Sequence, residues 1–232
     1  MHINVKDAGE QAVILYLDDV PTEQSIGQLK VLVEIIQEAL DDDLIDTIPS
    51  YQSVLVQFNP LTTDHQRVSH RIQSALAQRR YNPPVHTRSQ IVRLPVYYDV
   101  SVGPDLERIA RHHQCEIEQV IERHCMNIYH IYAIGFAPGF AYLGHVDDAI
   151  AMPRLEHPRA QVPAGSVAIA DHQTAVYPKA SPGGWNLIGR CPSPLFQPQQ
   201  AHSLPFSVGD RIQFMPISQQ EFLDLGGSLD DV

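Results

Sequence analysis

Between Ile134 and Pro192 the chain is so dense in glycine and proline that its backbone path is largely set before any side chain packs. Seven of the 13 glycines and seven of the 18 prolines fall there, with the single tryptophan. Proline fixes φ and removes an N–H donor, while glycine opens the left-handed region to the chain. Long helices and long regular strands are therefore excluded over this stretch, and short strands joined by tight turns are predicted. The stretch reads as a shaped site made of turns, and the remainder as the scaffold that holds it.

Three turn patterns stand out. Pro138-Gly139 and Pro182-Gly183 each place proline and then glycine where a type II turn wants them, and an aromatic follows in each case, Phe140 or Trp185. Pro163-Ala164-Gly165-Ser166 lies between them. As single hairpin turns they need no ligand. Clustered, their glycines (Gly139, Gly165, Gly183, Gly184) would let a ligand approach backbone N–H groups. Arg154 and Arg159 each follow a proline, and Arg190 ends the stretch. Guanidinium suits bidentate recognition of carboxylate or phosphate, and the competing reading is a surface ion pair with Glu156. Tyr142, Tyr177, Ser181 and Trp185 are candidate pocket walls, with core or rim packing as the alternative. Ser166 is a hydrogen-bonding or turn residue rather than a nucleophile, because Ala164 stands where a GxSxG elbow needs glycine.

Charge and motif absences narrow the chemistry. The net charge of −11 argues against a non-specific nucleic-acid binder. The stretch itself holds Arg154, Arg159, Lys179 and Arg190 against Asp147, Asp148, Glu156 and Asp171, so it is neutral inside an acidic protein. That balance fits a small anionic ligand or a set of local ion pairs. The 12 histidines show no HExxH or paired Cys/His spacing, so no protein-only metal site is expected. GxxxxGK[ST] and GxGxxG are both missing, so a nucleotide would be held without a P-loop. Three cysteines without CxxC spacing, no run of about 18 apolar residues and no signal-like pattern at Met1–Lys6 make the cytoplasm the expected compartment.

Along the chain, residues 1–85 read as a small α+β unit. Strands are predicted at Gln11–Leu17 and Ser53–Phe58. A helix is predicted over Thr22–Leu40, with Ile26, Leu29, Val33, Ile36 and Leu40 as its stripe. A second helix carries Val68, Ile72, Ala75 and Leu76 behind a capping-box pattern at Thr63–Gln66, with Arg79-Arg80 at its end. The order resembles a ferredoxin-like half. Asn82-Pro83-Pro84 marks the boundary to a second domain, 86–232. There, a strand is predicted at Ile91–Tyr98, a helix opening at Gly103-Pro104-Asp105 with proline in its first position, and a helix over Glu116–His124. Short strands follow at Tyr129–Ile134, Ser166–Ala170, Thr174–Tyr177, Asn186–Gly189 and Arg211–Met215, after the turn signal Gly209-Asp210. Such spacing argues for a sandwich or small barrel rather than a parallel sheet. The tail from Gly226 is expected to fray.

The ordered series GFxPGFxYL, PR…PR, VPAGSV, YP and SPGGWxLIGR resembles the 5-oxoprolinase B-subunit family, which also takes in KipI-type kinase inhibitors and proteins of the first-subunit type of allophanate hydrolase. The resemblance runs from about Ser89 to Pro216. It departs at Ala137 and Ala141, where bulkier residues or proline are common, and at Cys191, where threonine is. It implies an α+β protein: a small ferredoxin-like N-terminal domain followed by a cyclophilin-like β-barrel. It also implies a C subunit as partner, ATP with Mg2+ at a site shared with that partner, 5-oxoproline as substrate, and an A subunit that completes hydrolysis to glutamate. In such a site Arg154, Arg159 and Arg190 would be the catalytic cations. Phe136, Gly139, Tyr142, Gly165, Ser166, Tyr177, Gly183, Gly184 and Trp185 would bind substrate. The competing implication is a KipI-type inhibitor of a sensor histidine kinase. Prolyl isomerase activity would follow from fold alone and is not expected.

Overall fold

A computed structural model describes residues 3–17, 23–78, 90–195 and 204–229. The expected boundary at 85/86, Asn82-Pro83-Pro84, Arg79-Arg80, Thr22 and the last three residues lie outside them. The chain divides into two compact units, Met1–Ser89 and Gln90–Val232.

The first unit runs β1 (Ile3–Asp7), β2 (Ala12–Leu17), α1 (Glu23–Leu40), a 3-10 turn (Asp41–Asp43), β3 (Leu44–Ser50), β4 (Ser53–Phe58) and α2 (His65–Gln78). Its strands lie in the order β1-β2-β4-β3, all pairs antiparallel. Period-2 alternation turns Val13, Leu15 and Leu17 of β2 and Val54, Val56 and Phe58 of β4 onto one face. Leu29, Leu32, Ile36 and Leu40 of α1 and Val68 and Ile72 of α2 cover that face. The α1 stripe is centred on Leu32 rather than Val33, which is only partly buried.

Two strands, β1 and β3, are not legible in the sequence. Most β1 side chains are exposed, and β3 carries Asp46, Thr47 and Pro49, so neither shows a clean apolar alternation. The cap of α2 also differs from expectation by one residue. Asp64, not Thr63, accepts from the third helical N–H, Arg67 N to Oδ1 at 2.9 Å.

The second unit comprises β5 (Ile91–Tyr97), α3 (Leu106–His113), α4 (Ile117–Met126), β6 (Ile128–Ile134), β7 (Ala141–Gly144), β8 (Arg159–Val162), β9 (Ser166–Ala170), β10 (Gln173–Val176), β11 (Ser181–Gly183), β12 (Asn186–Arg190), β13 (Arg211–Ile217) and α5 (Gln219–Asp224). Seven strands close into a barrel in the order β6-β13-β5-β12-β9-β10-β7, with β7 returning to β6. Only the β5–β13 pair is parallel. Closure leaves these seven strands without a free edge. Among the described residues the family-implied barrel is thus a closed seven-stranded one. The capping residue of α3 is Asp105, so Pro104 sits just before the helix rather than in its first turn. A capping box joins Glu116 and Gln119 at the start of α4.

Strand alternation separates two cores. Val167, Ile169, Val176 and Ile188 point into the barrel with Tyr129, Ile131, Leu143, Ile212 and Phe214. Their neighbours Ala168, Ala170, Ala175, Tyr177 and Leu187 point the other way, into a second cluster with Ala137, Phe140, Val162 and Trp185. Every residue of β9 and β12 is therefore buried. Small alanines on the outer face give the glycine- and proline-rich loops room to pack flat against the barrel.

A small polar cluster around His124 is built into the barrel core. His124 is fully buried, with Nδ1 2.8 Å from the Tyr98 hydroxyl and Nε2 2.9 Å from Thr174 Oγ1, and its ring is stacked on Phe214. Burial pulls its pKa down to about 3, so the ring is neutral and satisfies one partner as donor and the other as acceptor.

Candidate functional site

The outer cluster forms an aromatic wall. Gly135–Phe140 leads into it through a type II turn: Gly139 has φ +83° and Phe140 N donates to Ala137 O at 2.9 Å. Phe140 is the hub. Its ring lies edge-on to Phe136, Tyr142, Tyr177 and Trp185, with centroids 5.3, 4.9, 5.4 and 5.7 Å away. Phe136 stands at φ +73°, a left-handed conformation that costs a non-glycine residue of this size, and it is 67% exposed. In sequence Phe140 stands out only as an aromatic after Pro-Gly.

The second expected turn is not there. Pro182 and Gly183 belong to β11, which pairs with β8 in a separate two-stranded ribbon, Ser181 opposite Val162 and Gly183 opposite Arg159. Register shifts at Pro182, the place where a strand tolerates a residue without an N–H. Glycine at 183 is explained by close approach: a Cβ there would overlap the Tyr177 hydroxyl. That hydroxyl accepts the Trp185 backbone N–H, and burial raises its pKa. A Cβ at Gly184, by contrast, would make only ordinary contact with Pro158. The turn at Ala164-Gly165 is present, with Gly165 at φ +79° and Ser166 N donating to Pro163 O at 3.3 Å.

The three arginines have different surroundings. Arg159, half-buried, donates from Nη2 to Asp105 (2.9 Å to Oδ2) and from Nη1 to Trp185 O (3.4 Å). The other partner of Asp105 Oδ2 is the Leu187 backbone N–H, at 2.7 Å. Arg159 thus ties the start of α3 to β12, and its carboxylate partner is Asp105 rather than the Glu156 of the competing reading. Arg190, 4% exposed, donates from Nη1 to Ser228 O at 2.8 Å. It lines a cleft of about 240 Å³ with the Ala164-Gly165 turn, Tyr177, Cys191 and the Gly226–Ser228 segment. Arg154 is exposed, with Cζ 5.8 Å from the centre of the Trp185 ring.

Strand register explains the separation. Ser166 pairs with Arg190 at one end of β9–β12, and Ile169 with Asn186 at the other, about 10 Å along the strand. The expected site residues therefore fall into two groups. Phe136, Gly139, Tyr142, Arg154, Arg159, Gly183, Gly184 and Trp185 belong to the wall. Gly165, Ser166 and Arg190 belong to the cleft end. Tyr177 borders both. Ser166 is fully buried, and its Oγ has no hydrogen-bond partner among the described residues.

Two supporting residues escape the sequence reading as parts of the site. In sequence Asp105 reads as a helix start and Asn186 as a strand residue. Asn186 is fully buried, accepts from Arg108, and its Nδ2 reaches the carbonyls of Pro153 and Ile169, both at 3.0 Å. An amide beside the lone tryptophan is the available signal. Among the described residues no group of three or more His, Cys, Asp or Glu side chains could hold a metal ion. No described helix is long and apolar enough to cross a membrane.

Residues 3–206 match the family described as carboxyltransferase domain, subdomain C and D. The chain belongs to that family. Within it, the 5-oxoprolinase B subunit of Bacillus subtilis (strain 168) is 34% identical over 228 residues, 94% of each chain. The crystal structure of TTHA0988 superposes with a TM-score of 0.77 at 30% identity, covering 90% of this chain, which spans only 40% of that one. The urea carboxylase of Kluyveromyces lactis shares the fold at a TM-score of 0.73 and 15% identity, over 96% of this chain and 22% of the other. The motif resemblance to the 5-oxoprolinase B-subunit family thus extends to whole-chain similarity, and the barrel places most of those motifs on one outer face.

Proposed function

We propose that this chain is the B subunit of an ATP-dependent 5-oxoprolinase, inactive alone, which activates 5-oxoproline together with a C subunit for hydrolysis to glutamate by an A subunit. One observation carries the reading: end-to-end similarity to a 5-oxoprolinase B subunit at 34% identity, 94% of each chain. The wall agrees with it, because many of the motif residues of that family lie on one face that presents a cation.

The chemistry asks for what this face offers. A five-membered lactam is a stable amide. Its carbonyl oxygen attacks the γ-phosphorus of ATP, the bond from that phosphorus to the β–γ bridging oxygen breaks, and ADP leaves. Water adds to the O-phosphorylated carbon, the C–N bond breaks as the ring nitrogen takes a proton, and a second water displaces phosphate from the resulting acyl phosphate to leave glutamate. Such a transfer needs positioned cations and donors rather than a protein nucleophile. Arg154 is the cation on the open side of the wall. The described His, Cys, Asp and Glu residues form no metal-holding group, so Mg2+ would arrive with the nucleotide and with groups of the C subunit. The finer fold reading goes with this proposal: a cyclophilin-like barrel over 86–232 behind a ferredoxin-like unit over 1–85. The strand order β1-β2-β4-β3 supports the latter, with the edge strand supplied from the chain's start.

The test is reconstitution with the A and C subunits, following glutamate and ADP. Loss of 5-oxoproline-dependent turnover when this chain is omitted supports the proposal. Full turnover without it refutes the proposal, and inhibition of a histidine kinase by the chain would then favour the KipI-type role.

A further inference from the structure

We propose that Arg154, mounted on the face of Trp185, is the oxyanion-receiving group of this wall, and that Asn186 and Gly184 are the residues that position it. The inference rests on the reading above for the identity of its ligand, but not for its geometry.

The Arg154 backbone is held on both sides. Before it, Pro153 O accepts from Asn186 Nδ2 at 3.0 Å; after it, Leu155 N donates to Gly184 O at 2.8 Å. Asn186 and Gly184 are the two neighbours of Trp185, so the segment carrying the arginine is stitched to the segment carrying the ring. Pro153 restricts the remaining freedom at the start of this segment. The guanidinium then lies over the indole, 5.8 Å from its centroid. Among the described residues Arg154 has no carboxylate partner. The contrast with Arg159 is instructive: that guanidinium is engaged by Asp105 and by Trp185 O. An exposed guanidinium held over an aromatic ring, with its backbone fixed, retains its N–H fork for an incoming anion.

The ligand is a small oxyanion. It can be the carboxylate of a lactam acid or a phosphate of the nucleotide, and the two are separable by experiment. The chain contains one tryptophan, which sits under the arginine and is 5% exposed. Incorporating 5-fluorotryptophan therefore gives one 19F resonance that reports on this site, and it stays the only signal when unlabelled C subunit is added. The labelled chain, alone and with the C subunit, is titrated with 5-oxoproline, 5-oxoprolinamide, inorganic phosphate and Mg-ATP.

A saturable shift with 5-oxoproline but not with its amide assigns the carboxylate. A saturable shift with phosphate or Mg-ATP assigns the phosphate. In either case Arg154→Ala is expected to weaken the response at least tenfold, and Arg154→Lys to restore it in part, since lysine keeps the charge and loses the fork. Arg154 is exposed, so these variants are expected to fold, and an unchanged far-UV spectrum verifies it. Asn186→Ser, which shortens the tie to Pro153, is expected to weaken the same response while leaving the ligand preference unchanged. The proposal is overturned if no ligand moves the resonance in either state, or if the response survives Arg154→Ala. Failure of the 5-oxoprolinase reading appears elsewhere, as 5-oxoproline-dependent ATP hydrolysis that the A and C subunits carry out without this chain, and a phosphate response would survive it.

Discussion

Arg159 and Asp105 form a half-buried ion pair, 2.9 Å from Nη2 to Oδ2, that joins the ribbon strand β8 to the capping residue of α3. Asp105 side-chain exposure is 8% and Arg159's is 29%. Removing the arginine would leave a nearly buried carboxylate with the Leu187 N–H as its remaining partner among the described residues. Arg159→Met is therefore expected to cost about 2 kcal/mol, below the range for a fully buried pair because the arginine is partly solvated. The corresponding fall in Tm is roughly 5 °C. Thermal unfolding followed by circular dichroism measures it. An unchanged Tm would mean that the pair contributes nothing to the frame.

His124 sets an acid limit. Free histidine titrates near 6.5, whereas burial holds this ring's pKa at about 3 in the folded protein. Between those values the unfolded chain binds the proton and the folded chain does not. The group thus lowers stability as pH falls from about 6.5 towards 3, by up to about 1.4 kcal/mol per pH unit, and contributes no pH dependence above that window. Urea unfolding between pH 5 and 7.5 is expected to show this slope. His124→Gln, which keeps a donor and an acceptor for Tyr98 and Thr174, should flatten it relative to the parent. A parallel pH dependence in the two proteins would contradict the assignment.

Gly183 is where the ribbon meets the wall. Gly183→Ala would push a methyl group into the Tyr177 hydroxyl and displace the Trp185 N–H that bonds to it. A loss of about 1–3 kcal/mol is expected from overpacking, with a changed Trp185 emission spectrum. Gly184→Ala, where the added carbon meets Pro158 at ordinary contact distance, should leave both close to the parent. Equal effects at the two positions would refute the close-approach explanation.

Much of this is readable from residue order, for definite physical reasons. β4 and β9 are legible to the residue because their apolar alternation or continuous burial is local. The Ala137–Phe140 turn is legible because Pro-Gly dictates it. By contrast, Pro182-Gly183 offers the same dipeptide, yet it serves a bulged strand whose glycine answers to Tyr177. Such a close approach is decided by tertiary packing. Arg159 looks free for a ligand in sequence because its partner, Asp105, lies 54 residues away. Asn186 is invisible as a positioning group for the same reason, since its carbonyl partners come from two other segments. Strand register separates Arg190 from Arg154, and no local pattern encodes that register.

The most direct measurement is ADP release by the reconstituted A, B and C subunits with and without 5-oxoproline, comparing the parent chain with Arg154→Ala and Arg159→Met. The account predicts 5-oxoproline-dependent ATP hydrolysis that requires this chain, falls at least tenfold in kcat/KM with Arg154→Ala, and stays within about threefold with Arg159→Met at a temperature where that variant is folded. Turnover that is independent of this chain, or that survives Arg154→Ala unchanged, would contradict it.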